Sequence, residues 1–220
     1  RPVGMGVMSF QDALYKLRIP YASKEAVEFA DRSMEMISYY AILTSSELAA
    51  ERGTYKTYKD SKWDRGLLPI DTIDLLEEER GGYLTLDRSS QMDWTPVRES
   101  IAKHGMRNSN TMAIAPTATI SYIQGCSPCI EPDFSVLFVY ENKSGNLMIT
   151  NEWFVKECKA LGIWNQSFVD MIKEVDGDVN MLNGELSDDL KNRFRTAFDH
   201  DQFKLVDCAA ARYRKDSFHN

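Results

Sequence analysis

The run Gly105-Met106-Arg107-Asn108-Ser109-Asn110-Thr111-Met112-Ala113-Ile114-Ala115-Pro116-Thr117-Ala118-Thr119-Ile120-Ser121-Tyr122-Ile123-Gln124-Gly125 lies mostly within the longest uncharged span of the chain, the 23 residues from Asn108 to Ile130. That length suffices on paper to cross a bilayer. Twelve of the 23 positions, however, are Asn, Ser, Thr, Gln, Gly or Pro, whose polar groups hydrocarbon would leave unsatisfied. The span therefore reads as buried backbone lining a cavity. Thr111 to Ala115 has the length of a buried strand, and Pro116, which supplies no N–H, turns the chain. The small and hydroxylic residues Thr117, Ala118, Thr119 and Ser121 then let successive N–H groups point one way. If a helix starts there, its unpaired N–H groups and its dipole make an anion site. No lysine is present in the loop, so binding would come from backbone and hydroxyl donors. The same residues also suit a plain strand-to-helix turn whose hydroxyls cap the helix.

Outward from this loop the pattern is mixed α and β with helix dominating. Val3 to Phe10 reads as a short buried strand, followed by a helix over Gln11 to Arg18. Ser23 is a plausible N-cap of a helix of about eight turns, carried by Ala26, Val27, Ala30, Met34, Ile37, Ser38 and Ala41 and ended by Gly53. Residues 53–90 read as an irregular excursion whose Tyr55, Tyr58 and Trp63 need something to pack on. Asp93 or Thr95 begins a helix ended by Gly105. Ser135 to Tyr140 and Leu147 to Thr150 form a hairpin, and Asn151 caps a helix to about Leu161. Further helices are predicted over Gln166 to Glu174, Ser187 to Phe198, and Asp201 to about Tyr213. No internal domain boundary is expected.

The chain has 220 residues, 26 basic and 33 acidic, a net charge of −7, and 43% hydrophobic residues. This is the composition of a soluble globular protein. An acidic chain lacks the footprint of a general nucleic-acid or membrane-surface binder. Four cysteines without a signal-type start read as reduced thiols, which points to the cytoplasm. The opening Arg1-Pro2-Val3-Gly4-Met5-Gly6, already strand-like, reads as cut from something longer.

Several ordered motifs carry a resemblance. Arg1-Pro2-Val3-Gly4-Met5-Gly6-Val7, Glu47-Leu48-Ala49-Ala50-Glu51-Arg52-Gly53, Leu68-Pro69-Ile70-Asp71, Gly105-Met106-Arg107-Asn108-Ser109, and Pro116-Thr117-Ala118-Thr119-Ile120-Ser121 followed by Ile130-Glu131-Pro132 appear in that order. The chain thereby resembles the large, catalytic subunit of ribonucleotide reductase along almost its whole length. The resemblance implies the C-terminal portion of a ten-stranded α/β barrel, helix-rich. It implies that Pro116, Thr117, Ala118, Thr119 and Ile120, with Ser121 beside them, bind the phosphates of a ribonucleoside di- or triphosphate. The implied partners are the rest of the catalytic subunit and a radical-generating small subunit. The whole enzyme would need a radical generator, either that metal-containing subunit or adenosylcobalamin, whereas this segment is expected to bind no cofactor or metal.

In that family a thiyl radical replaces the ribose 2′-hydroxyl by hydrogen. The finger loop with its Asn-x-Cys-x-Glu pattern is expected upstream of Arg1, and the radical-transfer tyrosines and terminal redox cysteines beyond Tyr213 to Asn220, where the sequence departs from the family pattern. Cys126 and Cys129 have the spacing of a redox dithiol. The family places no redox cysteines there, so they read as incidental thiols. Zinc is disfavoured, because His104, His200 and His219 show no paired spacing. Cys158 and Cys208 read as core, and Glu131 as structural, holding the loop. The leading expectation is an oxidoreductase segment, inactive alone, that supplies the substrate-phosphate loop for deoxyribonucleotide synthesis. The alternative is a non-catalytic phosphate-binding or interaction module that keeps the fold. An incomplete barrel is also expected to expose apolar edges, with marginal stability or self-association.

Overall fold

The computed structural model describes residues 1–84, 87–143, 145–182, 184 and 186–213. The divergent tail from 214 onward and Ser144 of the hairpin turn lie outside the described residues. In chain order the helices are α1 (Phe10–Leu17), α2 (Lys24–Arg52), α3 (Thr72–Glu79), α4 (Thr95–His104), α5 (Ala118–Gln124), α6 (Glu152–Ala160), α7 (Gln166–Glu174), α8 (Asp188–Arg193) and α9 (Gln202–Tyr213). Strands β1 (Leu137–Asn142) and β2 (Gly145–Thr150) form an antiparallel hairpin with Val139 opposite Met148. The chain divides into two compact units, one of residues 1–7, 27–115 and 206–220, the other of residues 8–26 and 116–205.

The first unit is organised by α2. Its 29 residues end where Gly53, at φ +72°, donates its N–H to Ala49 O at 2.8 Å. The core holds Tyr39, Ile42, Tyr55, Trp63, Leu68, Trp94, Val97, Ile101 and Met106. The aromatics of the excursion therefore pack as expected. The excursion is less irregular than the sequence suggested, however: its acidic run is α3, led in by a 3-10 turn over Pro69–Asp71. The physical reason is local, since Leu and Glu are good helix formers and Asp71 accepts from Leu68 N at 2.8 Å. Arg98 locks that turn with two bonds to Asp71, at 2.7 and 2.8 Å.

Two expected strands are corrected. Met5 and Met112 form a single parallel bridge, with Val3 N on Asn110 O at 2.9 Å and Ala113 N on Met5 O at 3.1 Å. Val3 and Met5 are exposed rather than buried, at 50% and 42%. No further strand pairs with either segment among the described residues, and two strands without a third do not build a longer ladder, although Thr111 and Met112 themselves are buried. A Cβ at Gly4 would stand 3.0 Å from Ala113 Cβ, so a larger residue would crowd this pairing.

Motif residues outside the loop turn out to be clasps. Ser45 Oγ donates to Asn108 Oδ1 at 3.0 Å and accepts from Asn108 N at 3.1 Å. Arg107 donates to the carbonyls of Arg52 and Gly53, satisfying acceptors left at the end of α2. Glu35, buried in α2, accepts from Gln91 N at 3.0 Å, Met92 N at 3.2 Å, Trp94 Nε1 at 3.1 Å and Ser90 Oγ. Burial alone would raise its pKa, but the donors outweigh burial and lower it to about 2.

The second unit packs Tyr15, Val136, Leu137, Phe154, Cys158, Phe168, Ile172, Leu190 and Phe194 into one core. Asn151, Asn165 and Ser187 cap α6, α7 and α8 through bonds to Phe154 N, Phe168 N and Leu190 N. The helix expected over Ser187 to Phe198 stops at Arg193, because Phe194 leaves helical geometry at φ −106° to stack on Tyr15 in the core, at 4.6 Å; the buried Arg193 guanidinium pairs with Glu157 and Asp189. Asp133 joins three segments: its carboxylate accepts from Tyr15 Oη and Asn151 Nδ2, and its carbonyl from Ala197 N. Burial raises its pKa to about 6. No helix among the described residues is long and apolar enough to cross a membrane.

Two measurements follow from these buried polar groups. Glu35→Gln should lower the stability of the chain by about 2 kcal/mol, read as a reduced urea midpoint at pH 7, because it discharges an acceptor shared by several donors. An unchanged midpoint would remove Glu35 from its role as anchor. His200 is 5% exposed, packs at a tilt against Tyr21 with ring centroids 5.4 Å apart, and has no hydrogen-bond partner for either ring nitrogen among the described residues. Burial, helped by the Arg195 charge, lowers its pKa from 6.5 to about 4. The unfolded chain then takes up the proton first, so this stability is present above pH 6.5 and is lost as pH falls toward 4. Against His200→Phe, the wild type should lose about 2 kcal/mol more over that window, after allowing for partial solvent screening. Parallel pH profiles would contradict this, and the Asp133 contribution is common to both proteins.

Candidate functional site

The charge-free loop lies in the second unit from Pro116 onward and leads into α5. Thr117 is the residue before the helix and adopts the left-handed region, φ +50° and ψ +24°. That conformation is unfavourable for a β-branched residue and persists only where neighbours hold it. Here its hydroxyl holds it: Thr117 Oγ1 accepts from Cys129 N at 2.7 Å and lies 2.9 Å from Ser121 Oγ. Ser121 Oγ also donates to Thr117 O at 2.7 Å.

The first helical hydrogen bond runs from Ser121 N to Thr117 O at 2.9 Å. The N–H groups of Ala118, Thr119 and Ile120 precede it and are free of any described acceptor. All three residues are exposed, as is Pro116, while Thr117 is half-buried. The helix thus begins with bare, parallel donors, and what such a start can do chemically is hold an anion. The sequence-named residues therefore separate by role. Ala118, Thr119 and Ile120 present donors, Pro116 and Thr117 shape the turn, and Ser121, 1% exposed, bonds within the loop to Thr117.

Sequence reasoning missed the support beneath the loop. Ser127 donates N–H and Oγ to Asp12 Oδ2 at 2.6 and 2.8 Å, and Trp153 Nε1 donates to Asp12 Oδ1 at 3.0 Å. Ser9 N reaches Ser127 O at 3.0 Å. The pairing joins residues more than a hundred positions apart, and its one sequence trace is an Asp in the first turn of α1. Glu131, expected to hold the loop, is exposed, with no hydrogen bond or ion pair among the described residues, whereas Pro132 behind it is buried. Cys126 and Cys129 are free and half-buried; Cys158 and Cys208 are buried, as expected. Among the described residues no three His, Cys, Asp or Glu side chains cluster to hold a metal ion.

Comparison with known proteins shows the family and the fold. A family model described as the ribonucleotide reductase barrel domain matches residues 1–214. The ribonucleoside-diphosphate reductase subunit alpha of Chlamydia pneumoniae is 52% identical over 215 residues, covering 97% of this chain and 20% of the relative. The ribonucleoside-diphosphate reductase large chain of Schizosaccharomyces pombe is 32% identical over 212 residues, covering 96% and 25%. The chain thus spans about a fifth to a quarter of these relatives' length. Among solved structures, the Actinobacillus ureae class Id ribonucleotide reductase alpha subunit superposes with a TM-score of 0.66 at 22% identity, covering 99% of this chain and 32% of that one. This likeness supports the helix-rich, partial-barrel fold.

Thr117→Val should cost about 1–2 kcal/mol, because it strands the Cys129 N–H and removes the bond to Ser121. Exchange of the Cys129 amide hydrogen should accelerate more than that of amides in α6, while Thr119→Val stays near neutral. Equal amide protection in wild type and Thr117→Val would show that the hydroxyl does not hold the turn.

Proposed function

We propose, given that this chain belongs to the ribonucleotide reductase barrel-domain family, that it forms part of a catalytic subunit that reduces ribonucleotides to deoxyribonucleotides, and that Pro116 to Ile120 hold the substrate's phosphates. The observation that carries the reading is the exposed start of α5, whose Ala118, Thr119 and Ile120 N–H groups have no described acceptor. A nucleoside diphosphate, as the relatives' names suggest, supplies acceptors of matching charge. Three parallel N–H groups and the positive end of the helix stabilise that charge without a lysine.

In this reading Thr119 Oγ1 adds an exposed donor, Pro116 keeps the approach free of a competing N–H, and the Thr117 and Ser121 hydroxyls fix the donors' direction. Holding the phosphates positions the ribose for chemistry supplied by the radical cysteine, redox cysteines and glutamate that the family carries outside these motifs. The radical generator, a metal-containing small subunit or adenosylcobalamin, belongs to the whole enzyme. The chain by itself then binds the substrate through its phosphates but does not reduce the ribose.

The test is calorimetric titration of the chain with a ribonucleoside diphosphate. Proline is tolerated in a first helical turn, so Thr119→Pro removes one backbone donor with little harm to the helix. It should weaken binding about tenfold, as expected for one hydrogen bond to a charged acceptor, while Thr119→Ala changes affinity less than about threefold. Equal affinity for wild type and Thr119→Pro would sink the cradle assignment.

A further inference from the structure

We propose that Cys126 and Cys129 are a redox-active dithiol whose oxidation to a disulfide releases the turn that holds Thr117, and so weakens anion binding at the start of α5. The binding consequence rests on the phosphate-cradle reading; the dithiol does not. The sequence supplies Cys126-Ser127-Pro128-Cys129, four residues with a rigid proline between the sulfurs. Both thiols are free and half-buried, within reach of small reagents. The other two cysteines differ: Cys158 and Cys208 are fully buried, and burial together with Glu157 pushes the Cys158 thiol up to about 12. Exposure therefore makes the Cys126–Cys129 pair the accessible one.

The placement gives the pair its consequence. Cys129 N–H donates to Thr117 Oγ1, and Cys126 N–H donates to Ser121 O at 3.0 Å, so the two residues grip the same turn of α5. Between them Ser127 is fixed to Asp12 by two short bonds. Cys129 itself sits at φ +53°, a conformation that a side chain adopts only when held. The sulfurs are not bonded to each other in this structure. A disulfide needs the two Cβ atoms about 3.5–4.5 Å apart with a fixed dihedral angle. With Ser127 anchored, the adjustment falls on Cys129, whose N–H bond to Thr117 is the one that gives. Thr117 then loses the bond that holds its left-handed turn, and the donors of Ala118, Thr119 and Ile120 lose their common direction.

The chemistry balances with a low-molecular-weight disulfide, such as oxidised glutathione, as oxidant. One cysteine thiolate attacks a glutathione sulfur, forming a mixed disulfide and expelling one glutathione thiolate. The second cysteine thiolate attacks the mixed disulfide at the protein sulfur and expels the other. The chain gives up two electrons and two protons, and the small disulfide becomes two thiols. Linkage requires the reverse effect as well: a bound nucleoside diphosphate must make the dithiol harder to oxidise by the factor that oxidation weakens binding.

The chain is equilibrated with mixtures of reduced and oxidised glutathione, quenched, and cut with trypsin. The peptide from Asn108 to Lys143 contains Cys126 and Cys129 and no other cysteine. The expected result is loss of two hydrogens from that peptide, a nucleoside-diphosphate affinity about tenfold weaker in the oxidised chain, and a matching shift of the glutathione midpoint when nucleotide is present. Cys126→Ser should bind nucleotide with the same affinity at every glutathione ratio. Thiols that stay reduced, or that each end as a glutathione adduct, overturn the proposal, as does a disulfide that leaves nucleotide affinity unchanged. A reduced chain that binds no nucleotide overturns the cradle reading instead; the mass of the peptide, read without nucleotide, decides the dithiol separately.

Discussion

The hydroxyl of Thr117 is the constraint on which the loop depends. A threonine at φ +50° stores unfavourable backbone energy, and it stays there because one oxygen accepts from Cys129 N at 2.7 Å and lies 2.9 Å from Ser121 Oγ. Once Thr117 is fixed, α5 must begin at Ala118, and its first three N–H groups face outward in parallel. The proposed binding surface is therefore made from backbone whose direction is set by the Thr117 and Ser121 side chains. This explains why the loop needs small hydroxylic residues: larger side chains would cover the donors, and apolar ones would leave Cys129 N–H unpaired.

The same economy recurs in each unit taken by itself. Glu35 gathers donors from the segment Ser90 to Trp94 onto one carboxylate, Asp133 ties Tyr15 to Asn151, and buried Arg193 is neutralised by Glu157 and Asp189. Each buried polar group joins pieces of chain distant in sequence. Satisfying such groups contributes modest net stability, whereas leaving one unpaired costs far more. They act chiefly as registers that select one arrangement of irregular segments over others that would bury as much apolar surface.

Helices were legible where period and caps coincided. Ser23, Asn151, Asn165 and Ser187 each precede an amphipathic run, and each start was found, because capping is a local interaction. The ordered motifs were legible too, whereas the charge-free span, read as buried backbone lining a cavity, is largely exposed from Ile114 to Gly125, because small and hydroxylic residues are solvated as readily as buried. The strands at Val3 and Thr111 were not, since ladder length depends on neighbours that local sequence does not encode; Gly4 and Met5 suit a wall strand, yet one bridge is what forms. The acidic helix α3 was hidden by its charge, and the end of α8 by the packing of Phe194 on Tyr15. At the site, Ser121 read as a ligand because its hydroxyl is of the right type. That it faces inward is decided by Thr117 O, Thr117 Oγ1 and Met8 Sδ, contacts of three-dimensional origin.

A site that recognises charge with backbone alone differs in kind from one that uses lysine or arginine. A flexible cationic side chain follows its anion when the surroundings shift, so affinity degrades gradually. Fixed N–H groups cannot follow; they either converge on the anion or they do not, and small rotations of the turn decide which. Control over such a site is best exerted on the residue that sets the rotation. In this chain that residue is Thr117, and the group that fixes it is the N–H of Cys129, one end of a Cys-Ser-Pro-Cys turn whose middle is anchored to Asp12. The proposed anion site without a lysine and the proposed dithiol at its hinge are thus two consequences of one arrangement: affinity stored in geometry is open to regulation by whatever chemistry can alter that geometry.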